Sequence, residues 1–176
     1  MLRIFFQESH WSKPINCESL PRTWHSATYL EEKNILLVFG GERNIAGTPE
    51  VLADIMVLDT EIFLWYPPAV SGKPPSPRAG HSASLIHQEG SALVVVFGGV
   101  RGRKWQNSLH VLDTERWHWN QPRIAGIAPP ARCYHSATVA NEGSCIVIFG
   151  GNDGDTSFNS VEVLQVQQNG SFVLYY

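Results

Sequence analysis

Pro77-Arg78-Ala79-Gly80-His81-Ser82-Ala83-Ser84 decides the fold, because the chain uses this stretch more than once. It stands earlier as Pro21-Arg22-Thr23-Trp24-His25-Ser26-Ala27-Thr28 and later as Ala131-Arg132-Cys133-Tyr134-His135-Ser136-Ala137-Thr138. Each copy leads into an apolar run closed by Phe-Gly-Gly, at Leu36–Gly41, Val94–Gly99 and Ile146–Gly151. Two copies then carry Val-Leu-Asp-Thr-Glu, at Val57–Glu61 and Val111–Glu115. A Trp-x-x-Pro occurs at Trp11/Pro14, Trp65/Pro68 and Trp119/Pro122, with successive tryptophans 54 residues apart. Landmarks that keep their order and spacing through successive copies mark a repeat architecture.

Each unit reads as four short strands, a to d. Strand a follows the Arg-x-x-His-Ser-Ala segment and is half-buried. Strand b runs into Phe-Gly-Gly and is rich in Val, Ile and Leu, as a strand buried on both faces would be. A polar loop of about a dozen residues follows, long for a hairpin connection. Strand c is Ile55–Leu58, Leu109–Leu112 and Val161–Leu164, and strand d surrounds the Trp. Asp-Thr opens the c–d turn in the first two units, since a short acceptor side chain can bond backbone two residues on. Asn169-Gly170 takes that role in the third, a pair that tolerates positive φ. No window has helical periodicity.

Four antiparallel strands in a unit of about 54 residues, repeated, are the signature of a β-propeller blade. The units resemble the kelch repeats. The Gly doublet closing strand b, the Trp of strand d and the Pro-Arg-x-x-His entry to strand a carry that resemblance over essentially the whole chain. The expected fold is all-β: a kelch-type propeller arc of three four-stranded blades plus the last two strands of a preceding blade. Residues 1–20 supply those two strands, and blades follow over 21–76, 77–130 and 131–176. Gln165 and Phe172 depart from the repeat in the last blade.

Residues present in every unit are read as architecture, since a catalytic group is needed once and a packing solution in each blade. Gly40-Gly41, Gly98-Gly99 and Gly150-Gly151 permit positive φ or close backbone approach. Trp11, Trp65 and Trp119 each bury ~150–250 Å² between sheets, worth about 4–6 kcal/mol at ~25 cal/mol/Å². Full burial of Trp65 predicts a cost of about 3–5 kcal/mol for Trp65→Ala. His25, His81 and His135 are expected to make the same local hydrogen bonds around a ring rather than to converge on a metal, no paired Cys/His spacing being present. Arg22, Arg78 and Arg132 also read as structural, although arginines at a propeller mouth suit acidic ligands.

Function belongs to the segments that differ, because rigid scaffolds present binding residues on loops. The b–c loop is Glu42–Glu50 in the first blade, Val100–Asn107 in the second and Asn152–Asn159 in the third. Blade symmetry places all three on one face. The expected partner-binding residues are Arg43, Arg101, Arg103, Lys104, Trp105, Asp153 and Asp155, with Arg and Trp the types enriched at hot spots. The competing reading of Trp105 folds it onto its own blade. Asn152-Asp153-Gly154-Asp155 lacks the later ligands of an EF-hand and reads as a polar turn. Asn169-Gly170-Ser171 matches the glycosylation triplet without a secretory signal. Proline-rich links such as Gly72–Pro77 read as stiff connections.

Composition limits the rest. Of 176 residues 43% are hydrophobic and 16% charged, which suits a globular core, and the net charge of −3 provides no basic field for nucleic acid or anionic lipid. The apolar runs are too short to span a membrane. Cys17, Cys133 and Cys145 form no disulfide framework. A cytoplasmic location is expected, with the nucleus also open. An arc leaves apolar blade faces uncovered; a fragment of a longer propeller protein is the favoured explanation, ahead of self-association through the open faces and of a stable open solenoid.

The resemblance implies a non-enzymatic scaffold for protein partners in an adaptor or signalling protein; no cofactor is expected, and the basic loop of the second blade suits an acidic segment of the partner. The alternative is part of a kelch-propeller enzyme of oxidase, mutarotase or specifier type. Cys133-Tyr134-His135 collects the residue types of a copper radical site, but neighbouring strand residues point to opposite faces.

Overall fold

A computed structural model describes residues 20–167 and 171–175. The strands expected over residues 1–20 lie outside the described residues apart from Leu20, as do Trp11, Cys17 and the turn at Asn169-Gly170. Apart from two short 3-10 turns, Glu31–Lys33 and Asn141–Gly143, every regular element is a strand. Among the described residues no helix is long and apolar enough to cross a membrane.

The first sheet holds β1 (Ser26–Leu30), β2 (Ile35–Phe39), β5 (Ile55–Asp59) and β6 (Leu64–Tyr66), antiparallel in that order, with the hairpin β3 (Glu42–Ile45) and β4 (Thr48–Val51) between β2 and β5. The second holds β8 (Ser82–Gln88), β9 (Ser91–Phe97), β12 (Leu109–Asp113) and β13 (His118–Asn120), with the hairpin β10 (Val100–Arg101) and β11 (Lys104–Trp105). The third holds β15 (Ser136–Ala140), β16 (Cys145–Phe149), β17 (Val161–Val166) and β18 (Phe172–Tyr175). The four strands expected of each of the three blades are present among the described residues, including the last, where the sequence departs from pattern.

Six strands were not foreseen: the b–c connections of the first two blades, read as polar loops, are the hairpins β3–β4 and β10–β11, and two more strands stand in the links. β7 (Ser71–Gly72) and β14 (Ile124–Ala125) lie in the links and pair parallel with β13 and β18. The chain leaving one blade therefore forms the outer edge of the next, making five-stranded sheets of the second and third. The links are strands as well as connections.

Asp59 and Asp113 open the c–d turns as read: Asp59 Oδ1 accepts from the amides of Glu61 and Ile62, and Asp113 Oδ1 from those of Glu115 and Arg116. The adjacent Thr60 and Thr114 hydroxyls donate to the carbonyls of Asn34 and Ala92, tying this turn to the a–b turn of the same blade.

The sheets stack face to face. Leu37, Phe39, Ile55 and Val57 of the first blade pack on Val94, Leu112 and Trp119 of the second. Val95, Phe97, Leu109 and Val111 of the second pack on Ile146, Leu164, Phe172 and Leu174 of the third. Each blade thus has a back face, carrying the Trp or its substitute, and a front face, carrying the Phe of Phe-Gly-Gly. Leu174 fills in the third blade the place of Trp119 in the second, pairing with Leu164 as Trp119 pairs with Leu112, and Phe172 lies two residues before it on the same face. Trp65 pairs with Leu58, on the face turned away from the second blade. It is half-buried and belongs to neither cluster, so the full-burial cost expected of it falls to Trp119.

The glycine pairs sit where blades meet. Gly98 has φ +67, and a Cβ there would lie 2.7 Å from the Arg132 carbonyl oxygen and 2.7 Å from His135 Cε1 of the next blade. At Gly150, φ +70, the same atom would meet only the Phe158 carbonyl at 3.5 Å. Gly98→Ala is expected to cost about 2–4 kcal/mol, combining left-handed strain with overpacking. Gly150→Ala carries the strain alone, about 1–2 kcal/mol. Chemical denaturation of the two variants checks the difference.

Candidate functional site

The Phe-Gly-Gly end of each b strand lies beside the start of the same blade's a strand, so the b–c connections and the Arg-x-x-His segments share one end of the arc. Bridges Thr23↔Glu42, Ala79↔Val100 and Cys133↔Asn152 join them blade by blade. The β3–β4 hairpin turns at Ala46 and Gly47, both at positive φ. The β10–β11 hairpin turns at Gly102, φ 59, and Arg103. The third connection has the same length as the second and is closed by the single bridge Asn152↔Ser157, in the place of the Val100–Trp105 pair.

The repeated polar residues hold this end rigid. Arg132 donates from Nη1 to the Gly150 carbonyl and from Nη2 to Glu162 at 2.7 Å. Arg78 donates likewise to the Gly98 carbonyl and to Ser108 Oγ. Arg22 reaches the Gly40 carbonyl and grips Asp54 with two parallel bonds. These guanidinium groups tie their own blades together, which argues against the acidic-ligand role considered for them.

The histidines join neighbouring blades. His81 Nε2 is hydrogen-bonded to Ser26 Oγ at 2.8 Å, and His135 Nε2 to Ser82 Oγ at 2.9 Å. The His81 ring meets Phe39 edge-on at 5.2 Å, and His135 meets Phe97 at 5.4 Å. His25 is exposed and makes no such bond among the described residues. Burial, reinforced by Arg78, lowers His81 to about 3; burial and then Arg132 lower His135 to about 4. Unfolded imidazoles titrate near 6.5. Below that pH the unfolded chain takes up protons that the folded chain refuses, so stability is full above about pH 6.5 and falls as pH drops towards 4. The urea midpoint is expected to fall between pH 7.5 and pH 5, and His81→Gln to flatten the slope.

No group of three or more His, Cys, Asp or Glu among the described residues is placed to hold a metal. Cys133 and Cys145 are buried free thiols. Burial raises the Cys133 thiol above its ordinary value.

The charged loop residues fall into distinct groups. Arg43 pairs with Glu50 at 2.6 Å across its hairpin. Arg101 stands directly opposite Lys104, with Arg103 at the tip, and none of the three has a carboxylate or other hydrogen-bond partner among the described residues. They form one wall of a groove whose other wall is the first hairpin, including Glu42, Pro49 and Glu50. Trp105 is half-buried and lies on the third blade's loop, where a Cβ on Gly154 would collide with its indole. Asp153 Oδ1 accepts from the amides of Asp155 and Thr156, leaving Asp155 exposed beyond that turn.

A model of the KLHDC2/KLHL20/DRC7 Kelch-repeats domain matches residues 2–170. The chain belongs to the kelch-repeat family.

Among its kelch relatives, Kelch domain-containing protein 2 of Bos taurus is 33% identical over 162 residues, covering 81% of this chain and 38% of the relative. The Rab9 effector protein with kelch motifs of Gallus gallus is 34% identical over 157 residues, covering 87% and 40%. The chain therefore spans about two-fifths of these relatives' lengths. The solved structure of YjhT superposes with a TM-score of 0.67 at 18% identity, covering 88% of this chain and 51% of that one, a likeness of fold.

The kelch pattern conceals one feature of this face. The residue before each histidine is left-handed: Trp24 at φ 53, Gly80 at φ 62 and Tyr134 at φ 57. Bulky residues rarely adopt that conformation. Trp24 and Tyr134 are nonetheless half-exposed aromatics, edge-to-face at 5.6 Å over Gly80. Gly80 donates its amide to the Trp24 carbonyl, and Tyr134 its amide to the Gly80 carbonyl. The glycine in one copy signals positive φ, and so marks the aromatics in the other two as strained and displayed.

Proposed function

We propose that this kelch arc is a non-enzymatic protein-binding scaffold whose hairpin face takes an acidic segment of a partner protein. The observation that carries the reading is the Arg101–Lys104 pair. Like charges directly opposed across a hairpin destabilise it, and with Arg103 they leave three cations uncompensated at one tip of a chain whose net charge is −3. An acidic ligand supplies the missing countercharge and gains bidentate contacts from the guanidinium forks. Arg43, already paired with Glu50, contributes shape more than charge, and Trp105 braces the cationic hairpin against the third blade. Asp153 is held within its own turn, and the exposed carboxylate of Asp155 repels an acidic ligand from the third blade's loop. The relatives support a binding role in general terms, one being named a Rab9 effector.

Fluorescence anisotropy with a labelled Asp/Glu-rich peptide tests this. Replacing Arg101, Arg103 and Lys104 together by Ala is expected to weaken binding at least tenfold, about 1.4 kcal/mol or more, and to flatten its salt dependence. Arg43→Ala is expected to change it little. Equal affinity for the triple variant, or no binding by the wild-type chain, would sink the reading.

A further inference from the structure

The turns at the end of the strands opposite the hairpins enclose a crevice of about 360 Å³ between the second and third blades. Its floor is apolar, formed by Leu93, Val111 and Phe172. Its walls are polar: Glu89 from the β8–β9 turn, and Asp113, Arg116 and Asn120 from the β12–β13 hairpin. Small-molecule pockets run from roughly 300 to 1,000 Å³, so the crevice lies at the lower end of their range.

The sequence explains why this junction has room. Counted from the paired residues of strands c and d, Phe172 stands where the second blade has Trp117, and Asn120 stands where the first blade has Tyr66. Trp117 packs on the core between the first and second blades. The second junction receives a smaller ring from the incoming blade and a short amide from the outgoing strand.

Asp113 has binding capacity to spare. Its side chain is 9% exposed. Oδ1 is occupied, accepting from the Glu115 and Arg116 amides. Oδ2 accepts only from Arg116 Nη1 at 3.1 Å among the described residues, and the Arg116 side chain is 80% exposed. A guanidinium so far in water adds little and is readily exchanged. Glu89 and Asn120 are exposed and make no side-chain hydrogen bond among the described residues. Two carboxylates against one displaceable guanidinium leave the walls negative above an apolar floor.

We infer that this crevice binds a small organic cation, an aromatic ring carrying a protonated primary amine. The ring lies on Leu93, Val111 and Phe172, where its burial supplies affinity. The ammonium takes the place of Arg116 on Asp113 Oδ2 and donates to Glu89 and to the Asn120 side-chain carbonyl oxygen. Its three N–H donors thus meet three acceptors, and bonds to a largely buried carboxylate are the strong kind. An anion would face Glu89 and Asp113 together. The crevice and the cationic hairpin lie at opposite ends of the strands, so this inference and the acidic-segment reading fail separately.

Tryptamine added to the whole protein is the probe, with binding followed by amide chemical shifts in nuclear magnetic resonance. Saturable 1:1 binding is expected, with the Asn120 side-chain amide among the signals that move. N-acetyltryptamine keeps the ring and loses the charge; it is expected to bind at least tenfold more weakly, and indole-3-acetate more weakly still. Asp113→Asn keeps the Oδ1 acceptor of the turn and is expected to weaken tryptamine at least tenfold. Glu89→Gln, at an exposed position, is expected to weaken it about threefold. Arg116→Ala is expected to tighten it at least twofold, because Oδ2 is freed. The Arg101/Arg103/Lys104 triple variant is expected to bind tryptamine as the wild-type chain does. No saturable binding, equal affinity for N-acetyltryptamine, or unchanged affinity in both Asp113→Asn and Glu89→Gln overturns the inference. Weaker binding by Arg116→Ala also overturns it and assigns the crevice to an anion.

Discussion

Trp119→Ala is expected to lower the unfolding free energy by about 3–5 kcal/mol, among the largest effects of any single truncation in the arc. Trp119 is buried against Leu37, Phe39 and Val57 of the preceding blade as well as Val94 and Leu112 of its own. Its ring stands 5.4 Å from that of Phe39, tilted at 56°. Removing it opens a void at a junction whose sheets cannot close up, because Ser26–His81 and the backbone bonds of Gly41 and Gly80 hold them apart. The loss therefore combines lost burial with a persistent cavity. Trp65→Ala serves as a control within the same repeat and is expected to cost less, its ring being half-buried. Guanidinium denaturation, followed by fluorescence and circular dichroism together, measures both; equal midpoint shifts for the two variants would remove the wedge role from Trp119.

Arg132→Met is expected to cost a further 3–5 kcal/mol by a different route, because it strands a buried carboxylate. The Arg132 and Glu162 side chains are 0% and 2% exposed and meet at 2.7 Å. Ser160 donates to the same Glu162 oxygen at 2.8 Å, and the guanidinium lies 4.5 Å from the centre of the Phe158 ring. A lone hydroxyl cannot compensate a buried negative charge. The double variant Arg132→Met/Glu162→Leu is expected to regain most of the loss, since a buried ion pair and a well-packed apolar pair are often close in stability. The other blades show the contrast: Arg22 meets a partly exposed Asp54, and Arg78 a neutral Ser108 hydroxyl. A double variant as unstable as Arg132→Met alone would mean that the arginine acts through its carbonyl and ring contacts instead of its charge.

The repeat made the blades legible in the sequence. Phe-Gly-Gly fixed where strand b ends, Asp-Thr where the c–d turn begins, and β5, β12 and β17 start at the residues expected of them. What lay hidden was contact between copies. Ser26 and His81 are 55 residues apart, and nothing local in either says that they meet. β7 and β14 are two residues each, too short for alternation to register, inside links whose prolines suggested no pairing. Trp105 read as a candidate anchor because its resting place, Gly154, belongs to another blade. Trp24 and Tyr134 went unremarked because reading the repeat as architecture discounts whatever stands inside it, although only the backbone conformation is repeated there.

The parallel edge strands have a mechanical meaning. Because β7 leaves the first blade and completes the rim of the second, and β14 does the same between second and third, the outer border of each of these two sheets is held by the chain leaving the blade before it. The arc is laced like overlapping shingles, and loosening begins at a shared hem between two blades before either peels away alone.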